Sequence, residues 1–171
     1  MAKPPKGTYP AYFEKYIDLV AEDNMEDAFA NQQAIIDDFF PAIDEARTTQ
    51  GYAPGKWSLK ELLQHVIDTE RIFTNRALCF ARGDQHEIAG FDEDSYAQNS
   101  NANARSWKSL CDEMKAVRTS SLFLFKSFTE EMLQRKGVAN KNPATVYALA
   151  FVTVAHLAHH ARIIKERYDI G

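Results

Sequence analysis

Cysteine is scarce in this 171-residue chain: Cys79 and Cys111 are the only two, far apart and in no CxxC pair. So low a count excludes a disulfide framework, and both read as reduced, buried small hydrophobes. Long apolar runs are missing as well. None approaches the roughly 18 residues that a membrane span requires, which argues against a membrane partner. The opening MAKPPKGTYPAYF holds no apolar stretch of signal-peptide length, so the expected location is the cytoplasm. Nor is there an excess of positive charge. Twenty Lys and Arg stand against 24 Asp and Glu, for a formal net charge of -4. With a pI near 5.7, nothing suggests a nucleic-acid partner, whose binders usually carry a dominant basic face. Glycine (7) and proline (6) are sparse, no segment sustains strand alternation, and there is no internal repeat.

What is present is the material of one globular domain over residues 1–171. Apolar residues make up 45% and charged residues 26%, an ordinary soluble balance. Helical periodicity dominates. Tyr12, Phe13, Tyr16, Leu19 and Val20 predict a short helix over 11–20. A second helix is predicted from an N-cap at Asn24, with a stripe from Met25 through Phe29, Ile36 and Phe40, to a stop or kink at Pro41. After the loop GYAPGKW, Ser58 and Glu61 have the spacing of a capping box, opening a helix that runs to about Arg82 and stops at Gly83. Residues 83–104 are polar and form a long connection. A fourth helix is predicted over 106–135, ended by Gly137, and a last one with Asn142 as N-cap and Pro143 at its first position. The expectation is an all-α fold, a four-helix bundle with a long crossover connection and one extra short helix.

Five histidines are present, and three fall within HLAHH. Residues four apart on a helix differ by about 40° around the axis. His156 and His160 therefore stack one turn apart, on a face shared with Leu149, Val152 and Ile163. His159 lies about 60° and 100° away from them and is the odd member. An i, i+4 histidine pair is a natural chelate, and bundle metal sites draw further ligands from facing helices. His65 is the remaining histidine on a predicted helix, at the edge of its apolar face. Three histidines with a free fourth position is the arrangement of a catalytic zinc-type site, whereas closed structural sites use four ligands, often thiolates. The plainer alternative is a set of hydrogen-bonded core histidines.

The run APGKWSLKELLQHVIDTERIFTNRALCFARGD, then GFDEDSY, then VAHLAHHARIIKERY, resembles the DinB-like (YfiT-like) superfamily. The likeness extends from about Pro54 to Tyr168. It implies a helical bundle and one divalent metal ion, commonly zinc or nickel, with His65 as the ligand from HxxDTER and His156 and His160 as the outer histidines of HxxHH. It also implies a homodimer and a small-molecule substrate. Some relatives transfer low-molecular-weight thiols such as bacillithiol or glutathione, or isomerise maleylpyruvate with a thiol cofactor. The chain departs from the usual GHExHH at Ala155 and Leu157, so the glutamate that follows the first histidine is lacking.

Other residues carry narrower expectations. Glu70 projects onto the apolar face and reads as the partner of a buried arginine (Arg76, Arg82 or Arg118) in preference to a site carboxylate. Asp68 falls on the opposite face and is expected to be solvated, Trp57 to pack at the helix start, and His86 to lie on the surface. Phe91, Asp92, Asp94 and Tyr96 form either a substrate rim or a crossover strap. The leading expectation is an enzyme whose metal ion presents water or a thiol as nucleophile, for thiol transfer or hydrolysis. The alternatives are a non-catalytic metal- or ligand-binding bundle and a structural dimer with histidines in its core.

Overall fold

The computed structural model describes residues 2–170. Three long helices form the frame: α3 (Leu59–Ala81), α5 (Trp107–Lys126) and α7 (Val146–Arg167), with α3 packed chiefly on α7 and α5. The fourth member of the bundle is broken. After a short N-terminal α1 (Glu14–Ile17), α2 (Met25–Asn31) is followed by a π-helical turn over Ile35–Phe39. Asn24 caps α2 as expected, its side chain accepting from the Asp27 amide. The break has a local cause. Gln32 is buried and donates its side-chain amide to the Val154 carbonyl across the bundle. The backbone then widens so that Phe40 N–H bonds Ile35 C=O. The helix predicted over 11–20 is only a 3₁₀ turn (Ala11–Phe13) joined to α1.

The start of α3 follows the sequence closely: Ser58 and Glu61 form both bonds of the capping box. The 83–104 connection is more ordered than its composition suggested. It contains α4 (Glu93–Asn99), capped by Asp92 accepting from Ser95 N–H, and a 3₁₀ turn at Ala102–Ala104. The helix predicted over 106–135 divides at Ser127. A separate α6 (Glu130–Gln134) begins where Thr129 caps the Met132 amide.

The expectation of no strands is corrected at residues 136–145. Lys136–Ala139 (β1) and Asn142–Thr145 (β2) pair antiparallel, with Ala139 opposite Asn142 and Val138 opposite Pro143. Asn140 and Lys141, at φ 51° and 62°, make the two-residue turn, since two left-handed residues match the twist of a hairpin. Pro143 falls at a position whose N–H faces away from β1, so the ring costs no ladder bond. Asn142 and Pro143 therefore do not open the last helix. Thr145 does, accepting from Ala148 N–H at 3.1 Å.

The apolar core is in two parts. One gathers Phe13, Phe29, Phe73, Phe80 and the first half of α7. The other gathers Phe40, Leu59, Leu63, Trp107 and the second half of α7. Between them runs a buried polar layer of Gln32, Glu70, Arg118, His65, His156 and His160. Arg118 is the partner of Glu70, bound through Nε and Nη2 at 2.9 Å each. No helix is long and apolar enough to cross a membrane among the described residues.

Candidate metal centre

His65 stands on α3 where the second core ends, and His156 and His160 stand on α7 where the first gives way to it. All three are buried. The one-turn spacing within α7 and the close packing of α3 on α7 bring the rings to one point. The ε nitrogen of His156 lies 3.1 Å from that of His65 and 3.1 Å from that of His160. One ring nitrogen of each lies within 4.8 Å of the others. Zinc–nitrogen bonds of about 2.0–2.1 Å at tetrahedral angles place two nitrogens about 3.3 Å apart, so the observed spacing is close to that of ligands on a shared ion.

The electrostatics favour neutral rings. Burial pulls the His65 pKa down to about 4, with the charge of His159 adding to it. Burial and mutual repulsion hold His156 and His160 well below the ordinary histidine value. A neutral imidazole is the ligand form. With three neutral rings, hydrogen bonding alone serves the cluster poorly: His156 faces two nitrogens with one, and the Nδ1 of His160 is buried with no partner among the described residues. His65 Nδ1 has only the Thr69 hydroxyl at 3.5 Å. The donor set fits a borderline divalent cation such as zinc or nickel.

This cluster lies in a chain that the sequence model of the DinB superfamily matches over residues 28–164. The chain belongs to the DinB superfamily. Its fold is similar to that of YfiT from Bacillus subtilis, described as a probable metal-dependent hydrolase with an unusual four-helix bundle topology. The two superpose with a TM-score of 0.69 over 96% of this chain and 90% of that one, at 16% identity. No curated protein matches the chain. The resemblance implies a glycine and a glutamate where this chain has Ala155 and Leu157. Ala155 and Leu157 are both fully buried in the core, so no carboxylate reaches the cluster from that turn of α7.

The histidines line a pocket of about 260 Å³. Its floor is the cluster with Thr69 and Phe73. Its rim comes from outside the three long helices: Tyr12, Tyr16, Phe91, Glu93 and Asn140. Trp57 does more than pack at the start of α3, for its ring lies 4.8 Å from that of His65. His159 stays out of the cluster and stacks on Tyr16 at 4.4 Å. Of the four residues expected in a rim or strap, Phe91 lines the pocket, Asp92 caps α4, and Tyr96 is exposed and packs on Phe91. Asp94 borders the neighbouring cleft. Asp68 is half-buried instead of solvated, held by the Gln64 amide at 2.9 Å, and burial raises its pKa. His86 is on the surface, bonded to Asp84.

Sequence reasoning missed two ionisable wall residues, Arg76 and Glu93. Arg76 lies eleven residues after His65, three turns along one face of α3, which is a readable signal. Glu93 lies in the quoted GFDEDSY segment but was masked there by its acidic neighbours. Burial and the adjacent Asp94 and Asp92 raise its carboxyl pKa.

Proposed function

We propose that this chain is a metal-dependent enzyme in which the ε nitrogens of His65, His156 and His160 hold one divalent ion, zinc or nickel, at the floor of the pocket. The observation that carries this reading is the meeting of three buried, neutral ring nitrogens from two helices, 3.1 Å apart in two of their pairs. An ion held by these three rings would supply the Lewis acidity that lowers the pKa of a bound water or thiol. The protein's own residues set the stage for that nucleophile. α3 and α7 fix the rings, while Trp57 and Phe73 shield them from bulk water. The Glu93 carboxyl, exposed at the rim of the same pocket, is the pocket's carboxylate and the proposed acceptor of the proton that the nucleophile gives up. The reaction is hydrolysis of a small molecule, or transfer to it of a low-molecular-weight thiol serving as co-substrate. The proposed setting is cytoplasmic and the proposed assembly a homodimer, as the family resemblance implies.

Metal analysis of tag-free protein tests the site. One equivalent of metal is expected in the wild type and none in His65→Ala or His160→Ala. A wild type that takes up neither zinc nor nickel refutes the reading, as does full occupancy in both variants. A hydrolase and thiol-transfer screen then tests the chemistry, with Glu93→Gln expected to slow turnover by about 10²–10⁴-fold. Leu157, apolar where the usual family motif carries glutamate, favours a second reading, a non-catalytic metal-binding bundle. Stoichiometric metal with no turnover of any substrate in the screen selects it.

A further inference from the structure

Arg76 is a buried cation without an anion. It sits on the same face of α3 as His65, Thr69 and Phe73, and it lines the same pocket. Only 6% of it is exposed. Elsewhere in the chain the arginines at 71, 105, 118 and 135 each hold a carboxylate, but no carboxylate pairs with Arg76 among the described residues. Its Nη2 reaches the Ala89 carbonyl at a long 3.4 Å. Its Nε is buried with no hydrogen-bond partner among the described residues. The titratable group that acts on it electrostatically is the Tyr12 phenol, whose pKa burial raises further, so it stays neutral. A guanidinium offers five donors, and taking one out of water without an anion is costly. A structural role would have given it a partner of the kind that Glu70 gives Arg118.

We propose that Arg76 is the anion-recognition residue of this pocket, and that the substrate is a small molecule bearing a carboxylate, bound to Arg76 at one end and reaching the histidine cluster with the other. Eleven residues of helix separate the Cα atoms of His65 and Arg76 by about 16 Å, and both side chains line the same pocket. A compact ligand spans the remainder. The wall between is aromatic, from Phe13, Phe73, Phe91 and Tyr12, which suits an unsaturated or aromatic body. Glu93, on the rim, repels a second anionic group and so favours a single carboxylate on the ligand. This assignment of substrate class rests on the reading of the pocket as the active site.

Calorimetric titration with benzoate and with benzamide, its uncharged isostere, tests it, on zinc-loaded protein and on protein stripped by a chelator. The stripped wild type is expected to bind benzoate about ten-fold or more tightly than benzamide, as a charged hydrogen-bonded pair requires. Arg76→Gln should lose that preference, Arg76→Lys should keep part of it, and metal content should match the wild type in both. Equal affinity for the two probes in the wild type, no measurable benzoate binding, or an undiminished preference in Arg76→Gln overturns the proposal. A preference seen only with zinc places the carboxylate on the metal and also overturns it. Should Arg76→Gln fail to fold, Arg76→Lys decides, an unchanged benzoate affinity being the refuting result. Because the stripped protein carries the measurement, a failure of the metal reading does not alter this outcome.

Discussion

Replacing Glu70 with leucine while Arg118 stays in place strands a charge in the middle of the bundle. The pair is among the most buried in the molecule, with Arg118 1% and Glu70 2% exposed. Its geometry is bidentate, with two bonds of 2.9 Å. The remaining Nη1 reaches only the Gln32 Oε1, at 3.3 Å, and a neutral amide does not replace a carboxylate. Removing one member of such a pair costs about 3–5 kcal/mol. In a domain of this size each kcal/mol moves the melting temperature by about 2–4 °C, so Glu70→Leu should lower it by about 6–20 °C. The double variant Glu70→Leu/Arg118→Met removes both charges and should recover most of the loss, because the cost lies in the unpaired ion and not in the absence of the bridge. Urea unfolding followed by circular dichroism measures all three proteins. A loss under about 1 kcal/mol in Glu70→Leu, or a double variant no better than the single, would refute this account of the polar layer.

Stripping metal with a chelator should lower the melting temperature by about 5–10 °C if the ion is present at about a hundred times its dissociation constant; an unchanged melting temperature counts against a tightly held ion. Gly137→Ala should cost about 2–3 kcal/mol, because a Cβ there would lie 2.0 Å from the Phe80 ring, which is fixed in the core; thermal unfolding that matches the wild type would show that the hairpin yields freely. Burial lifts the Cys111 thiol to about 11, so at pH 8 a thiol reagent should modify the half-buried Cys79 first and Cys111 only on unfolding; equal rates would contradict that burial. Cys111 and Tyr168, the latter lifted to about 12, hold their protons more tightly folded than unfolded. Stability should therefore fall as pH rises from about 9 through 11 and 12, and an alkaline plateau over that window in urea titrations would exclude it.

The long helices were legible because their signals are local. A capping box at Ser58 and Glu61 and an apolar stripe repeat within a few residues of themselves. The hairpin was not, because four-residue strands are too short to show alternation, and Gly137, Asn142 and Pro143 imitate a helix stop and a helix start. The deciding feature, two left-handed residues at Asn140 and Lys141, leaves only a faint mark in the sequence. For the candidate site, the shared face of His156 and His160 follows from helix geometry, and the family resemblance added His65. The partner of Glu70 was not readable among three arginines, since Arg118 is chosen by how α5 packs on α3. The absence of a partner for Arg76 is likewise a tertiary fact, visible only once every neighbouring carboxylate has been located.

The pocket is built from two kinds of material. Its histidines ride on two of the long helices, whereas Tyr12, Phe91, Glu93 and Asn140 come from the N-terminal lead-in, the 83–104 connection and the hairpin tip. Segments of that second kind accept insertions and exchanges that helices in a bundle do not. A descendant of this protein can thus acquire a different preference among small molecules by editing the surface connections around Glu93, leaving the histidine cluster at the bottom untouched.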